Sequence, residues 1–318
     1  MSAAPALRIG TRGSALALWQ ARHVAALIGA QPGAPVVELV QIKTSGDVQS
    51  EVPLWQSGGR AFFTREIDRA LLEGTVDVAV HSLKDLATQI ESGLTLAATL
   101  GRADPRDALI SRSGAPLAQL PHGARIGTSS LRRRAFLARL RPDAVLLELR
   151  GNVPTRIERL QRGDYDAIVL AAAGLTRLGL ERQVSERLDP AVFPPAVSQG
   201  VIGVCARAGD AATLRWLAAL DDREARLACT AERALLKRLE GGCQVPLGAL
   251  AVVRGGTLHL MASVCALDGA RHLSAQGEAS ATPQAAEALG VRVATELLDR
   301  GAGELIAAER GARTVEEP

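Results

Sequence analysis

The sequence predicts an α/β protein: two doubly wound domains flanking a cleft, followed by a small α+β C-terminal domain. Short apolar runs alternate with helical periodicity over the first two thirds of the 318 residues, which is the pattern of βαβ units and a mostly parallel sheet. The series starts afresh after Gly101-Arg102-Ala103-Asp104-Pro105-Arg106, and the chain is longer than a single core usually fills. The last third then changes character, to one long helical stretch followed by alternating strands.

In order, the first series reads as a strand near 7–10, a helix from Ala15 to Ile28, a strand over Val36–Ile42, a helix over Thr64–Glu73 and a strand over Val76–His81. The second has strands near 107–111, 124–127, 145–149 and 166–170, with helices between them. The stretch Pro190 to Gly200 is rich in proline and glycine and leads into an apolar strand, Val201–Cys205, that reads as a return crossing into the first domain. A helix from Asp221 to Leu239, strands at 247–253 and 258–266 and a helix near 283–300 complete the pattern. The predicted domains are 1–101 with 198–219, 102–197, and 220–318. The charged end from Glu309 to Pro318 lacks apolar periodicity and is expected to fray.

Hydrophobic residues make up 47% of the chain but aromatic ones only 3%, so Ala, Val, Leu and Ile must build the core. Little aromatic surface is left for stacking bases. With a net charge of only +3, a nucleic-acid binder is a weak reading. Lysine occurs only at 43, 84 and 237; genomic base composition accounts for most of the arginines, so function must be argued from clusters. The cysteines at 205, 229, 243 and 265 form no C-x-x-C pair and lack suitable histidine spacing, which points to reduced thiols and no metal site. The N-terminus has no basic start followed by an apolar stretch, and no window reaches membrane-spanning length. A soluble cytoplasmic protein is expected.

Several segments carry chemistry. His81-Ser82-Leu83-Lys84-Asp85 follows an apolar strand, so its polar groups emerge at the carboxyl end, where ligands bind open α/β sheets. An ionised Asp85 in a cationic cleft could stabilise a cationic intermediate or relay protons; an ordinary helix cap with a surface ion pair is the alternative. Gly127-Thr128-Ser129-Ser130-Leu131-Arg132-Arg133-Arg134 joins a strand end to a helix start and reads as an anion receptor, or else as a capped helix with a solvated basic face. Neighbouring helical residues lie about 100° apart, so Arg132 and Arg133 are assigned to the ligand and Arg134 to solvent. Thr11-Arg12-Gly13-Ser14, Arg150 to Arg156 and Gly174-Leu175-Thr176-Arg177 repeat the grammar. Together, five strand ends with cations or hydroxyls suggest a groove for a molecule bearing many carboxylates or phosphates. Cys243, preceded by Gly241-Gly242 and followed by Pro246, is either a reachable attachment point or a small apolar residue at a corner.

These segments, with Ala15 to Gln20, Ala173 to Gly179 and Gly241-Gly242-Cys243-Gln244-Val245-Pro246, resemble the porphobilinogen deaminase (hydroxymethylbilane synthase) family over nearly the whole length. The resemblance implies periplasmic-binding-protein-like domains and a transferase. It condenses four porphobilinogen units on a dipyrromethane cofactor held by Cys243 through a thioether, and then releases hydroxymethylbilane. Each pyrrole brings an acetate and a propionate, which explains the arginines. By matching motif, Asp85 is the catalytic carboxylate. Ser14, Ser82, Lys84, Thr128, Ser129, Ser130, Arg132 and Arg133 hold the cofactor, and Arg12, Phe63, Arg150, Arg156 and Arg177 hold substrate. The implied partners are porphobilinogen and the next enzyme of the pathway, to which product is handed; neither nucleic acid nor membrane is expected, and the chain is expected to be a monomer.

Three positions depart from the family pattern. Leu86-Ala87-Thr88 stands where Val-Pro-Thr is usual, Ser198 where glycine is common, and Cys205 where an acid is frequent; they bear on loop rigidity and local hydrogen bonding. The competing reading from another class is a non-catalytic two-lobed binding protein for polyanionic small molecules.

Overall fold

The computed structural model describes residues 6–44, 64–239 and 245–307. In chain order its strands are β1 (Leu7–Thr11), β2 (Val37–Gln41), β3 (Val78–Ser82), β4 (Leu94–Thr99), β5 (Asp107–Ser111), β6 (Arg125–Gly127), β7 (Val145–Leu147), β8 (Ala167–Ala171), β9 (Glu186–Arg187), β10 (Ile202–Arg207), β11 (Leu247–Arg254), β12 (Thr257–Cys265) and β13 (His272–Ser280). Its helices are α1 (Ala15–Gly29), α2 (Arg65–Leu72), α3 (Leu131–Leu140), α4 (Val153–Gln161), α5 (Ala172–Arg177), α6 (Ala211–Ala218), α7 (Arg223–Arg238) and α8 (Pro283–Asp299). Two compact units result, residues up to 103 with 200–226, and residues 104–199 with those from 227 onward.

The first unit holds a five-stranded sheet in the order β2-β1-β3-β10-β4. β1 pairs in parallel with β2 and β3, whereas β10 runs antiparallel between β3 and β4. Central strands buried on both faces read as unbroken apolar runs, and Val78, Ala79 and Val80 are such a run. Ser14 starts α1 by accepting the Ala17 N–H at 3.3 Å, a hydroxyl cap for an otherwise orphaned donor. Arg8 and Arg207 both pair with Asp77 at 2.9 Å, tying β1 and β10 to the entry of β3.

The second unit repeats the plan in the order β7-β6-β8-β5-β9, with β6 parallel to β7 and β8, and β5 antiparallel to β8 and β9. The expected mostly parallel sheets therefore each carry one reversed strand. In both sheets it is the first strand formed after the chain passes from one unit to the other, β5 on the way out and β10 on return.

Beside this sheet the second unit carries an antiparallel one, β11-β12-β13, with its own apolar core. Burial alternates along β12 from Thr257 to Ala262, which marks the core-facing side of that stretch, covered by α7 and α8. Ala286, Leu289, Gly290, Val293 and Leu297 form the buried stripe of α8, at helical spacing. A Cβ on Gly290 would collide with the Ala231 carbonyl, so the two helices touch backbone to backbone there. The predicted strands at 247–253 and 258–266 match β11 and β12; β4, β9 and β13 were not read from sequence. No helix among the described residues is long and apolar enough to cross a membrane.

Candidate active site

Parallel pairing dictates where the motifs lie. Since β1 and β3 run the same way, Arg12 to Ser14 and Ser82 to Asp85 leave the first sheet at one edge. Since β6, β7 and β8 also run the same way, the segments 128–133, 150–156 and 172–177 leave the second sheet at one edge. In both units this is the carboxyl-terminal edge, where open α/β sheets bind ligands.

In the first unit the edge is concave. Arg12, Ser14, Leu16, Ala17, Gln20, Thr64, Val80, His81, Ser82 and Asp85 line a pocket that is partly open to solvent. A short 3-10 turn over Leu83–Asp85 follows β3. Leu83 is its anchor, buried and donating its N–H to the Val201 carbonyl at 3.0 Å. With the turn pinned this way, Asp85 is left exposed at the pocket, and Lys84 beside it is half-buried.

Two further residues of this pocket were present in the motifs but were given no role by sequence. Gln20 is buried on the inner face of α1 and donates from Nε2 to Ser82 Oγ at 2.9 Å, fixing that hydroxyl. A polar residue within the buried stripe Gln20, Ala21, Val24 and Ile28 is the signal that could have revealed it. His81 is buried, and its Nε2 has no hydrogen-bond partner among the described residues. Burial, with the positive charge of Arg12 adding, pulls its imidazolium down to about 4, so the ring is neutral near pH 7.

In the second unit, β6 ends at Gly127, where a Cβ would lie 2.8 Å from the Tyr165 ring. Ser130 caps α3 by accepting the Arg133 N–H at 3.4 Å. Thr128 is buried and accepts the Ser130 N–H at 3.2 Å, while the Ser129 hydroxyl donates to the Leu149 carbonyl. The hydroxyls that were read as a ligand cradle thus also knit the loop to itself.

The arginines differ from the sequence picture in their surroundings. Arg132 and Arg133 are only 4% and 6% exposed, and both meet the fully buried Asp107 at 2.7 Å. Arg132 also donates to the Pro194 carbonyl at 2.8 Å, and Arg133 to that of Val169 at 2.8 Å. Arg134 does not simply face solvent: it is half-buried and donates to the Leu146 carbonyl at 3.3 Å. Arg156 donates to the Gly151 carbonyl at 2.7 Å. Burial lowers the affinity of Arg150 for its proton and brings Arg177 down to about 10, and Nη1 of Arg150 is buried without a hydrogen-bond partner among the described residues. These are partly desolvated cations, suited to anions.

Cys243 and Phe63 lie outside the described residues. No group of His, Cys, Asp and Glu able to hold a metal ion occurs among the residues described; Cys205, Cys229 and Cys265 are buried thiols in no disulfide among those residues.

Residues 7–215 match the family model described as "Porphobilinogen deaminase, dipyromethane cofactor binding domain", and residues 226–299 match "Porphobilinogen deaminase, C-terminal domain". A protein of Roseiflexus castenholzii named porphobilinogen deaminase is 53% identical over 302 residues, covering 95% of this chain and 98% of its own. Among solved structures, YhfZ from Shigella flexneri aligns at 18% identity over 74% of this chain and 90% of its own, with a TM-score of 0.37. The BvgS periplasmic VFT2 domain from Bordetella pertussis aligns at 16% identity over 67% and 86%, with a TM-score of 0.39.

Proposed function

The chain belongs to the porphobilinogen deaminase family, and on that premise we propose that Asp85 is the catalytic carboxylate of its reaction. The enzyme is a transferase of tetrapyrrole and haem biosynthesis. It deaminates and condenses four porphobilinogen units head to tail on a covalently bound dipyrromethane, and then hydrolyses the product to release hydroxymethylbilane. The observation that supports Asp85 is its exposure in the pocket shared with Arg12, Ser14, Gln20 and Ser82.

The protein's residues suit a carboxylate-rich pyrrole group. Two buried guanidinium groups share one acid, Asp107, and Arg150 keeps a buried donor atom without a hydrogen-bond partner among the described residues. Ser14, Ser82, Lys84, Thr128, Ser129, Ser130, Arg132 and Arg133 would hold the cofactor, and Cys243 would anchor it. When bound, dipyrromethane supplies the pyrrole carbon on which the units are added.

Arg12, Arg150, Arg156 and Arg177 bind substrate carboxylates, and Phe63 covers the pyrrole face. Asp85 assists the loss of ammonia and, as a carboxylate, offsets positive charge developing at a pyrrole nitrogen. His81, neutral, adds no charge to compete with that carboxylate. Gln20 holds the Ser82 hydroxyl in one orientation. The stretch 220–318 forms the domain that carries Cys243, and the enzyme works as a cytoplasmic monomer that hands its product to the next enzyme of the pathway.

Intact-protein mass spectrometry tests the reading. The purified protein should carry two extra pyrrole units on Cys243, and Cys243→Ser should carry none and turn nothing over. An unmodified, inactive wild type would instead favour a non-catalytic polyanion-binding protein, while a modified and active Cys243→Ser would remove the anchor.

A further inference from the structure

Asp107 was not singled out by any motif, yet it lies where the second unit's receptor is built. It is the first residue of β5, fully buried. One of its oxygens, Oδ2, meets Arg132 Nη1 at 2.7 Å. The other, Oδ1, accepts from Arg133 Nε at 2.9 Å and Nη2 at 2.7 Å, and from Gln199 Nε2 at 3.2 Å. Gln199 is itself held by the Pro105 carbonyl at 2.8 Å. A single carboxylate therefore spaces two guanidinium forks that stand side by side on the first turn of α3.

The charges of this trio do not balance. Two arginines against one aspartate leave one positive charge, almost wholly removed from water. Burial weakens the hold of Arg132 on its proton, and the like charge of Arg133 adds to this, despite the opposing pull of Asp107. Arg132 Nε is buried and makes no hydrogen bond among the described residues. Buried charge that is neither neutralised nor fully hydrogen-bonded is costly, unless a ligand completes it.

We propose that Asp107 is a positioning residue: it fixes the Arg132 and Arg133 forks and leaves them short of one negative charge, so that the pair accepts a single carboxylate of the bound pyrrole. This rests on the reading that a dipyrromethane occupies the site. Asp107 touches no reacting atom and acts through the arginines. Its two oxygens set their spacing, and its lone charge sets how many carboxylates they take.

Asp107→Asn keeps the size and removes the charge. In its folded fraction, isolated by size exclusion, intact mass should show the loaded proportion reduced at least fivefold relative to wild type. A purely structural role would lower the melting temperature and the yield but leave folded molecules as fully loaded as wild type, and that result overturns the proposal. A measurement on the wild type does not depend on the variant's folding. In a crystal structure of the loaded enzyme, Asp107 should still lie between both guanidinium groups, with one cofactor carboxylate on their free edges. Arginines that have left Asp107 to hold separate carboxylates would overturn the inference. If the wild type carries no added mass, the dipyrromethane reading fails and this inference falls with it; a loaded wild type with an equally loaded Asp107→Asn defeats the inference alone.

Discussion

Asp85 and Arg133 hold comparable places, each just past the carboxyl end of a parallel strand, but the two sheets treat their charges in opposite ways. The first sheet leaves the Asp85 carboxylate exposed on a short turn anchored by Leu83. The second buries the Arg133 guanidinium on Asp107 and the Val169 carbonyl. An exposed charge costs little to keep and can approach a reacting atom, whereas a buried and ion-paired one is fixed in place. On the proposed function the difference separates two tasks: the first edge serves the reacting carboxylate, the second holds an anion still. Substitutions on the open side should therefore change rate without stability, and those on the closed side should change stability first.

Asp85→Asn tests this division with the largest effect. Losing a positioned proton-transfer group typically costs about 10²–10⁴-fold in rate, whereas an exposed substitution typically moves stability by no more than about 0.5 kcal/mol. Turnover, followed as ammonia release, should collapse by that factor while the melting temperature and attached cofactor mass stay put. Retention of most of the activity would remove Asp85 from the mechanism. A large drop in melting temperature would show that the first edge is no more open than the second.

His81 sharpens the contrast, because it is the closed part of the open pocket. Its imidazolium is held down at about 4 in the folded protein, against about 6.5 in an unfolded chain. With the folded value the lower, the unfolded chain takes up the proton first. Stability from this group is complete above about pH 6.5 and is lost as the pH falls towards 4, by about 3 kcal/mol in all. Urea unfolding at pH 7 and at pH 4.5 should show this loss in the wild type and much less of it in His81→Gln. Equal losses in both proteins would mean that His81 does not titrate in a dry site.

The parts of this arrangement that sequence could reveal are those written in local pattern. The strand-end motifs were legible because apolar runs such as Val78 to Val80 announce a strand, and the following polar residues must then emerge at its carboxyl end. The return crossing was legible from the prolines and glycines before β10. β13 escaped because the core-facing alternation in His272 to Ser280 rests on Leu273, Ala275, Gly277 and Ala279, mostly small residues that are weak strand formers, and β9 is only two charged residues. Helical geometry brought Arg132 and Arg133 together, but their shared acid is 25 residues earlier for Arg132 and 26 for Arg133. Only the pairing of β5 with β8 carries Asp107 to them. Burial of a charge is a tertiary outcome, and a basic run looks the same whether it is solvated or closed over.

The smallest expected effect compares one loop glycine from each edge. Gly127 ends β6, and a Cβ there would lie 2.8 Å from Tyr165 Cδ1 and 3.1 Å from Leu149 Cδ2. Tyr165 cannot easily yield: its hydroxyl donates to the Glu148 carbonyl at 2.7 Å, and the Arg159 guanidinium lies 5.2 Å from its ring centre. Gly13 lies between Arg12 and Ser14, and the sole heavy atom that its Cβ would approach among the described residues is Gln41 Oε1 at 3.4 Å, the far end of a flexible side chain. Overpacking a tight site typically costs about 1–3 kcal/mol, whereas an exposed, unstrained position should move by no more than about 0.5 kcal/mol. Gly127→Ala should therefore lower unfolding stability by the larger amount, with Thr128 displaced and cofactor loading reduced, while Gly13→Ala stays close to wild type. Equal tolerance at both positions would mean that the second edge can relax around a methyl group, and rigidity would then not be what separates the holding edge from the reacting one.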